Sequence, residues 1–189
     1  MTSHHLLTVG ISLLTNFEKT RGFSRPDALR RGQQMGQFLA ENPKANCAEV
    51  NSLESRAGFL GKTKPELAVS LIYSQTEEGR LCAKLIKSFL RRKGVAVTRL
   101  QLDALDLPGR RGADPTVARR LAERGLTDLR SKVMHHVAML QDRQPGLRIE
   151  VNITGGYKAE CAVLYELGRA LRLPVYYLHE TFQVAVELP

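Results

Sequence analysis

The run Val151-Asn152-Ile153-Thr154-Gly155-Gly156-Tyr157-Lys158-Ala159-Glu160 is a β-type stretch that stops at two glycines and restarts as a helix with a lysine in its first turn. A junction of that composition is suited to holding an anion. Glycines let the backbone turn sharply and come close to a ligand, and the first N–H groups of a helix have no acceptor inside the helix. Lys158 adds a full positive charge. The spacing is neither the Gly-x-x-x-x-Gly-Lys-Ser/Thr of a Walker phosphate loop nor the Gly-x-Gly-x-x-Gly of a dinucleotide fold. The phosphate in question is therefore not that of ATP or NAD. The plainer reading is a tight strand-to-helix turn with a solvated lysine.

Two more segments carry hydrogen-bonding groups in the same kind of place. His5 to Ile11 reads as a first strand, followed by the loop Ser12-Leu13-Leu14-Thr15-Asn16, and Leu67 to Tyr73 is an apolar run of the sort buried on both faces of a parallel sheet, followed by Ser74-Gln75-Thr76-Glu77-Glu78-Gly79. Between them the spacing predicts one helix over 26–42 and a second over 45–60. Thr76 is placed to cap a helix whose apolar face is Leu81, Leu85, Ile86, Phe89 and Leu90, and Gly94 ends it after Arg91-Arg92-Lys93. Further strands are expected over 95–102, 147–154 and 174–180, with helices over 115–144, broken near Gly125, and 158–172. The stretch 107–114 is irregular, and 182–186 is a hairpin partner for the strand before it.

Strands alternating with helices of ten or more residues indicate an α/β fold: a Rossmann-like, mainly parallel sheet with helices on both faces and a C-terminal β-hairpin. Ligands of such sheets bind beyond the carboxyl ends of the strands. The loops after Ile11, after Tyr73 and after Ile153 all fall at that edge.

At 189 residues the chain fits a single domain over 1–189. Its 28 Lys and Arg against 19 Asp and Glu, a net +9, favour anionic partners by long-range attraction without sequence specificity. No apolar run approaches a membrane span and no secretory signal opens the sequence, so a cytoplasmic location without a membrane partner is expected. Cys47, Cys82 and Cys161 lack metal or disulfide spacing and read as reduced, mostly buried thiols.

With the three loops in place, the chain resembles a CARF domain, the CRISPR-associated Rossmann fold that senses cyclic oligoadenylates in type III CRISPR immunity. The resemblance rests on Val9-Gly10-Ile11-Ser12-Leu13-Leu14-Thr15-Asn16, on Tyr73-Ser74-Gln75-Thr76-Glu77-Glu78-Gly79-Arg80-Leu81, on Ile153-Thr154-Gly155-Gly156-Tyr157-Lys158-Ala159-Glu160, and on Tyr176-Tyr177-Leu178-His179-Glu180. It implies a homodimer binding cyclic tetra- or hexa-adenylate across its two-fold axis, with no metal, no cofactor and no DNA partner. The implied ligand-binding residues are Gly10, Ile11, Ser12, Leu13, Thr15, Asn16, Ser74, Gln75, Thr76, Thr154, Gly155, Gly156, Tyr157 and Lys158. Some members of that family are ring nucleases, and the resemblance then makes Ser12 and Lys158 catalytic: the ribose 2′-OH attacks its own phosphate while Lys158 stabilises the developing charge. Two alternatives stand beside this: the sensor part of a longer effector that binds without cutting, and a general nucleotide- or RNA-binding module with a steep salt dependence.

Other residues have plainer assignments. Arg130-x-x-x-x-His135 imitates a HEPN ribonuclease motif but lies inside the Rossmann core, so His135 and His136 are expected on a helix surface and edge. His4 and His5 begin a strand, His179 packs in preference to reaching a ligand, and Arg91-Arg92-Lys93 is a solvated helix end. Arg110 and Arg111 are either a lid over a ligand or an exposed loop. Glu77, Glu78 and Glu160 serve as helix-start charges and partners for nearby arginines.

Overall fold

A computed structural model describes residues 3–62, 65–102, 114–179 and 181–189. Six strands form one sheet in the order β3-β2-β1-β4-β5-β6. They are β1 (Ser3–Thr8), β2 (Leu67–Ser74), β3 (Ala96–Leu102), β4 (Arg148–Asn152), β5 (Val175–His179) and β6 (Val184–Leu188). The first five run parallel, and β6 folds back antiparallel onto β5. The expected mixed α/β layout and its C-terminal hairpin are thus both present.

The chain winds outward from β1 toward β3 on one side, then returns to place β4 against β1. The strand order reverses between β1 and β4, which opens a crevice above their carboxyl ends. One face of the sheet is covered by α1 (Ser12–Arg21), α3 (Gly32–Glu41), α5 (Ala48–Ala57) and α6 (Glu77–Arg92), whose apolar side chains pack on Leu7, Val69 and Leu71. The other is covered by α7 (Pro115–Arg143) and α8 (Lys158–Ala170), packed on Leu6, Ile72, Ile149 and Val151. Successive residues of β1 alternate between these two cores, as the two-residue period of a strand requires.

The helices depart from the expected spans where local chemistry outweighs the apolar pattern. Residues 12–16 are not a loop: α1 starts at Ser12, because Leu13, Leu14 and Phe17 share a helical face that is fully buried, and Gly22 in the left-handed region ends it. The region 26–42 divides into α2 (Arg25–Leu29), capped by Ser24 accepting from the Asp27 N–H, and α3. Asn42 precedes a proline and is held out of the helical region, so it closes α3 and caps the short α4 (Pro43–Asn46) by accepting from the Ala45 N–H. Extended Cys47 then separates α4 from α5. Conversely, α7 runs unbroken through Gly125, which is buried against the core and costs a helix only about 1 kcal/mol. Arg110, Arg111 and Glu180 lie outside the described residues. No described helix is long and apolar enough to cross a membrane.

The strand start at His4 and His5 is a buried polar layer. His4 Nε2 and His136 Nε2 both bond the Ser70 hydroxyl, at 2.8 and 2.7 Å, so His136 is a core residue of α7 instead of a surface one; only His135 is exposed. On the other face His5 Nδ1 bonds the Tyr176 hydroxyl at 2.9 Å, and Arg56 donates to Glu150, which Arg148 also contacts. Burial first, then His136, pushes the His4 pKa from 6.5 down to about 4; burial first, then Arg56, does the same for His5. His136 is lowered too, chiefly by burial.

These three imidazoles stay neutral in the fold and take protons readily once unfolded, so the unfolded chain binds more protons between pH 6.5 and 4. Their contribution is fully present above that window and is lost as pH falls through it, about 3 kcal/mol each for His4 and His5. The melting temperature is therefore expected to drop between about pH 7.5 and about pH 5, and the slope to flatten in a His4→Gln/His5→Gln double variant. Thermal unfolding followed by circular dichroism across that range checks this, and a flat wild-type profile contradicts it.

Candidate functional site

The crevice between β1 and β4 is formed by two backbone segments in direct contact. Gly10, just past β1, sits so close to the Gly-Gly turn past β4 that a methyl group on it would lie 2.8 Å from the Gly156 nitrogen. A methyl on Gly155 would meet Glu49 Oε1 at 2.5 Å, the Thr8 carbonyl oxygen at 2.7 Å and the Gly10 nitrogen at 2.9 Å. Gly155 is thus required for space, whereas Gly156, at φ +89°, is required for its left-handed backbone. Thr8 fastens the two segments by donating to the Gly155 carbonyl at 2.6 Å.

Glu49, which the sequence reading passes over, lies at the centre of this contact. It is fully buried in the first turn of α5, accepts the Gly10 N–H at 2.8 Å and accepts the Ser12 hydroxyl at 2.5 Å. The Cys47 thiol also donates to it, at 3.3 Å. Ser12 in turn accepts the N–H of Ala48, the first residue of α5, at 3.1 Å. Its hydroxyl proton is committed to Glu49, and one oxygen lone pair stays open. The Gly10 N–H is correspondingly not free for a ligand. A second carboxylate, Glu160, accepts the Tyr157 N–H at 3.0 Å and is pushed up in pKa by burial, so it serves the helix start as expected.

What remains for an anion is compact. The N–H groups of Gly155, Gly156 and Lys158 make no hydrogen bond to any described residue, and the Lys158 ammonium is exposed without an ion pair among them. Lys158 is the first residue of α8, Ser12 the first of α1 and Ala48 the first of α5. The three helices therefore start at one edge of the sheet, where α6 starts as well, but the first N–H of α5 is already taken by Ser12.

The other expected residues divide between two hollows. Gly10, Ile11, Ser74, Gly156 and Tyr157 line one of about 180 Å³. Asn16 and Thr154 line another of about 490 Å³, beside the β5–β6 hairpin, together with His179. Leu13 is not a ligand contact: it is 1 % exposed and packs in the core, because the helical α1 turns it inward. Thr76 is used as the cap of α6, accepting from Gly79, and its hydroxyl pairs with Ser74. Thr154 accepts the Leu178 N–H, and Asn16 donates to the carbonyls of Ala45 and Asn46. Thr15 and Gln75 are half-buried. Among the described residues no group of three or more potential metal ligands comes together. Cys47 and Cys82 are buried and Cys161 is half-buried; burial pushes the Cys82 thiol up to about 12.

Residues 44–189 match the family described as CRISPR-associated protein (Cas_APE2256). The chain belongs to that family. No curated protein matches it. Among solved structures it is similar to protein VC1899 from Vibrio cholerae, with a TM-score of 0.45 and 12 % identity, over 98 % of this chain and 33 % of that one. The chain thus spans about a third of the length of that relative. The matched region takes in Glu49 and the Gly-Gly turn, but β1 and the start of α1 lie before it.

The close approach at Gly155 yields a direct test. Gly155→Ala is expected to cost about 1 to 3 kcal/mol, because the surrounding atoms are backbone and a buried carboxylate that cannot yield without moving the turn. Gly61→Ala, whose added methyl meets nothing within 4 Å, is expected to stay within about 0.5 kcal/mol. Urea unfolding of the two variants makes the comparison, and equal stabilities would contradict the packing described.

Proposed function

We propose that this CRISPR-associated protein is a CARF-type protein that binds cyclic oligoadenylate and opens it by metal-independent attack of a ribose 2′-OH. The observation that supports this reading is the contact of Gly10 with the Gly155-Gly156 turn, which sets the helix starts at Ser12 and Lys158 on the same carboxyl edge of the sheet. The family match supports a role in CRISPR biology. The ring's own symmetry supports a homodimer, since a two-fold axis presents every donor twice to a ring of phosphodiesters.

In this reading the Gly155, Gly156 and Lys158 N–H groups and the Lys158 ammonium hold the scissile phosphate and stabilise the charge that grows on it. The 2′-OH donates to the open lone pair of Ser12. As the 2′-oxygen forms its bond to phosphorus, its proton passes to Ser12, whose own proton passes to Glu49; the bond from phosphorus to the 5′-oxygen breaks, and that oxygen takes a proton from water. The products are a linear oligoadenylate end carrying a 2′,3′-cyclic phosphate and a free 5′-hydroxyl. A second reading, binding without cleavage, draws support from the same hydrogen bonds: Glu49 fixes both Gly10 and Ser12, a geometry that also suits a rigid sensor.

Incubating the protein with cyclic tetra- and hexa-adenylate in EDTA and separating products by chromatography distinguishes the two. Cyclic-phosphate ends are expected from the wild type, and a fall of about a hundredfold or more in rate from Lys158→Ala. Arg130→Ala, which removes only a surface ion pair to Glu166, is expected to cleave normally. Tight binding with an intact ring selects the sensor reading, and a wild-type rate in Lys158→Ala removes that residue from the reaction.

A further inference from the structure

The larger hollow contains an unusual group. Among the described residues, the Asn51 side-chain oxygen is the buried side-chain polar atom with no hydrogen-bond partner. Asn51 is 5 % exposed, lies on α5 two residues after Glu49, and lines the 490 Å³ hollow. Leaving such an oxygen unmatched costs about 1 to 3 kcal/mol, so its retention needs a reason.

The other half of the amide is matched, but by a surface side chain. Asn51 Nδ2 donates to Gln183 Oε1 at 2.7 Å. Gln183 is exposed at the tip of the β5–β6 hairpin and, though not glycine, holds φ at +53°. It is a long, solvent-facing side chain whose displacement frees the Asn51 Nδ2 donor beside the unpartnered Oδ1. That amide then offers one donor and one acceptor side by side, the pattern that pairs with the N7 and N6 amino group of adenine.

The rim fits a nucleotide. His179 lines the hollow and stacks on the Phe182 ring at 4.5 Å between centroids. Its Nδ1 accepts the Phe182 N–H, which leaves the Nε2 position as the donor of the neutral ring. Phe182 is itself 70 % exposed, so the pair is a ring surface of the kind on which bases stack. Lys44, at the same rim, is exposed and has no ion-pair partner among the described residues. The volume lies within the range of small-molecule pockets.

We infer that Asn51 is the base-reading residue of this hollow, pairing with the N6 and N7 edge of an adenine, and that Gln183 is the side chain the base displaces. The inference rests on the adenylate reading of the same sheet edge and extends it to a specificity determinant.

The test titrates isotope-labelled full chain with adenosine 5′-monophosphate, inosine 5′-monophosphate and cyclic tetra-adenylate. Inosine keeps N7 but carries an oxygen where adenine has its amino group, so it sets two acceptors against each other. The adenine nucleotide is expected to shift the Asn51 side-chain amide signals and to bind about tenfold or more tighter than the inosine one. Asn51→Leu is expected to abolish that preference, and Gln183→Ala to keep it while binding the adenine nucleotide a few-fold tighter. Should the ring be ignored while the mononucleotide preference and its loss in Asn51→Leu persist, this assignment stands and the cyclic ligand falls. Ring binding with the same base preference in Asn51→Leu as in the wild type overturns the assignment alone. No response to any of the three overturns both. If Asn51→Leu does not fold, the wild-type spectra decide: saturation with the adenine nucleotide and no change at the Asn51 amide overturns the assignment.

Discussion

Two stretches of backbone that leave adjacent parallel strands here touch through glycines that have no Cβ, and a buried carboxylate makes that contact tolerable. Gly10 and Gly155 can approach only because neither has a Cβ, and their approach would strand the Gly10 N–H if Glu49 did not accept it. Glu49 also fixes the Ser12 hydroxyl, which satisfies the first N–H of the very helix that carries Glu49. The loop is closed: α5 positions the carboxylate, the carboxylate positions the start of α1, and α1 closes the start of α5. Gly10, Ser12 and the Gly-Gly turn all take their places from this arrangement.

The alternation of strands and helices, the hairpin and the helix cap at Thr76 were all legible in the sequence, since each follows from local pattern and turn chemistry. The central position of β1 and β4 was not, because strand order is set by packing among elements far apart in the chain. The loop expected over residues 12–16 was a misreading of a short helix: Ser12, Thr15 and Asn16 suggest a turn, while the burial of Leu13, Leu14 and Phe17 decides otherwise. Glu49 carried no motif at all. It belongs to a helix between β1 and β2, in a stretch that reads as ordinary amphipathic sequence, and only the fold brings it beneath Gly10. Asn51 escaped for the same reason.

The interior of this sheet is more polar than its apolar strands suggest. His4, Ser70 and His136 bond together on one face, and His5, Tyr176 and the Arg56–Glu150 pair lie on the other, all toward the amino ends of the strands. The two ends of β1 thus differ in kind. Its start is locked by matched side chains, whereas its end is locked by backbone, the Thr8 hydroxyl and a single carboxylate. Tyr176 links them laterally: its hydroxyl meets His5, and its ring lies under the Arg56 guanidinium at 5.3 Å. Burial raises its hydroxyl pKa, in keeping with a structural group that stays protonated.

Four helices begin at one rim of the sheet, and the basic ends of α1, α5, α6 and α8 fall at the other. Each backbone dipole is therefore aligned with its neighbours, while the lysines and arginines of the last turns offset the negative pole behind. The full charges of Arg56, Arg91, Arg92 and Arg169 at the far rim exceed the roughly half-charges of the helix starts, whose pull fades within about one turn, so the crevice has no long reach of its own. Anything it holds is therefore held by short-range geometry, which dissolved salt screens far less than it screens the exposed basic rim.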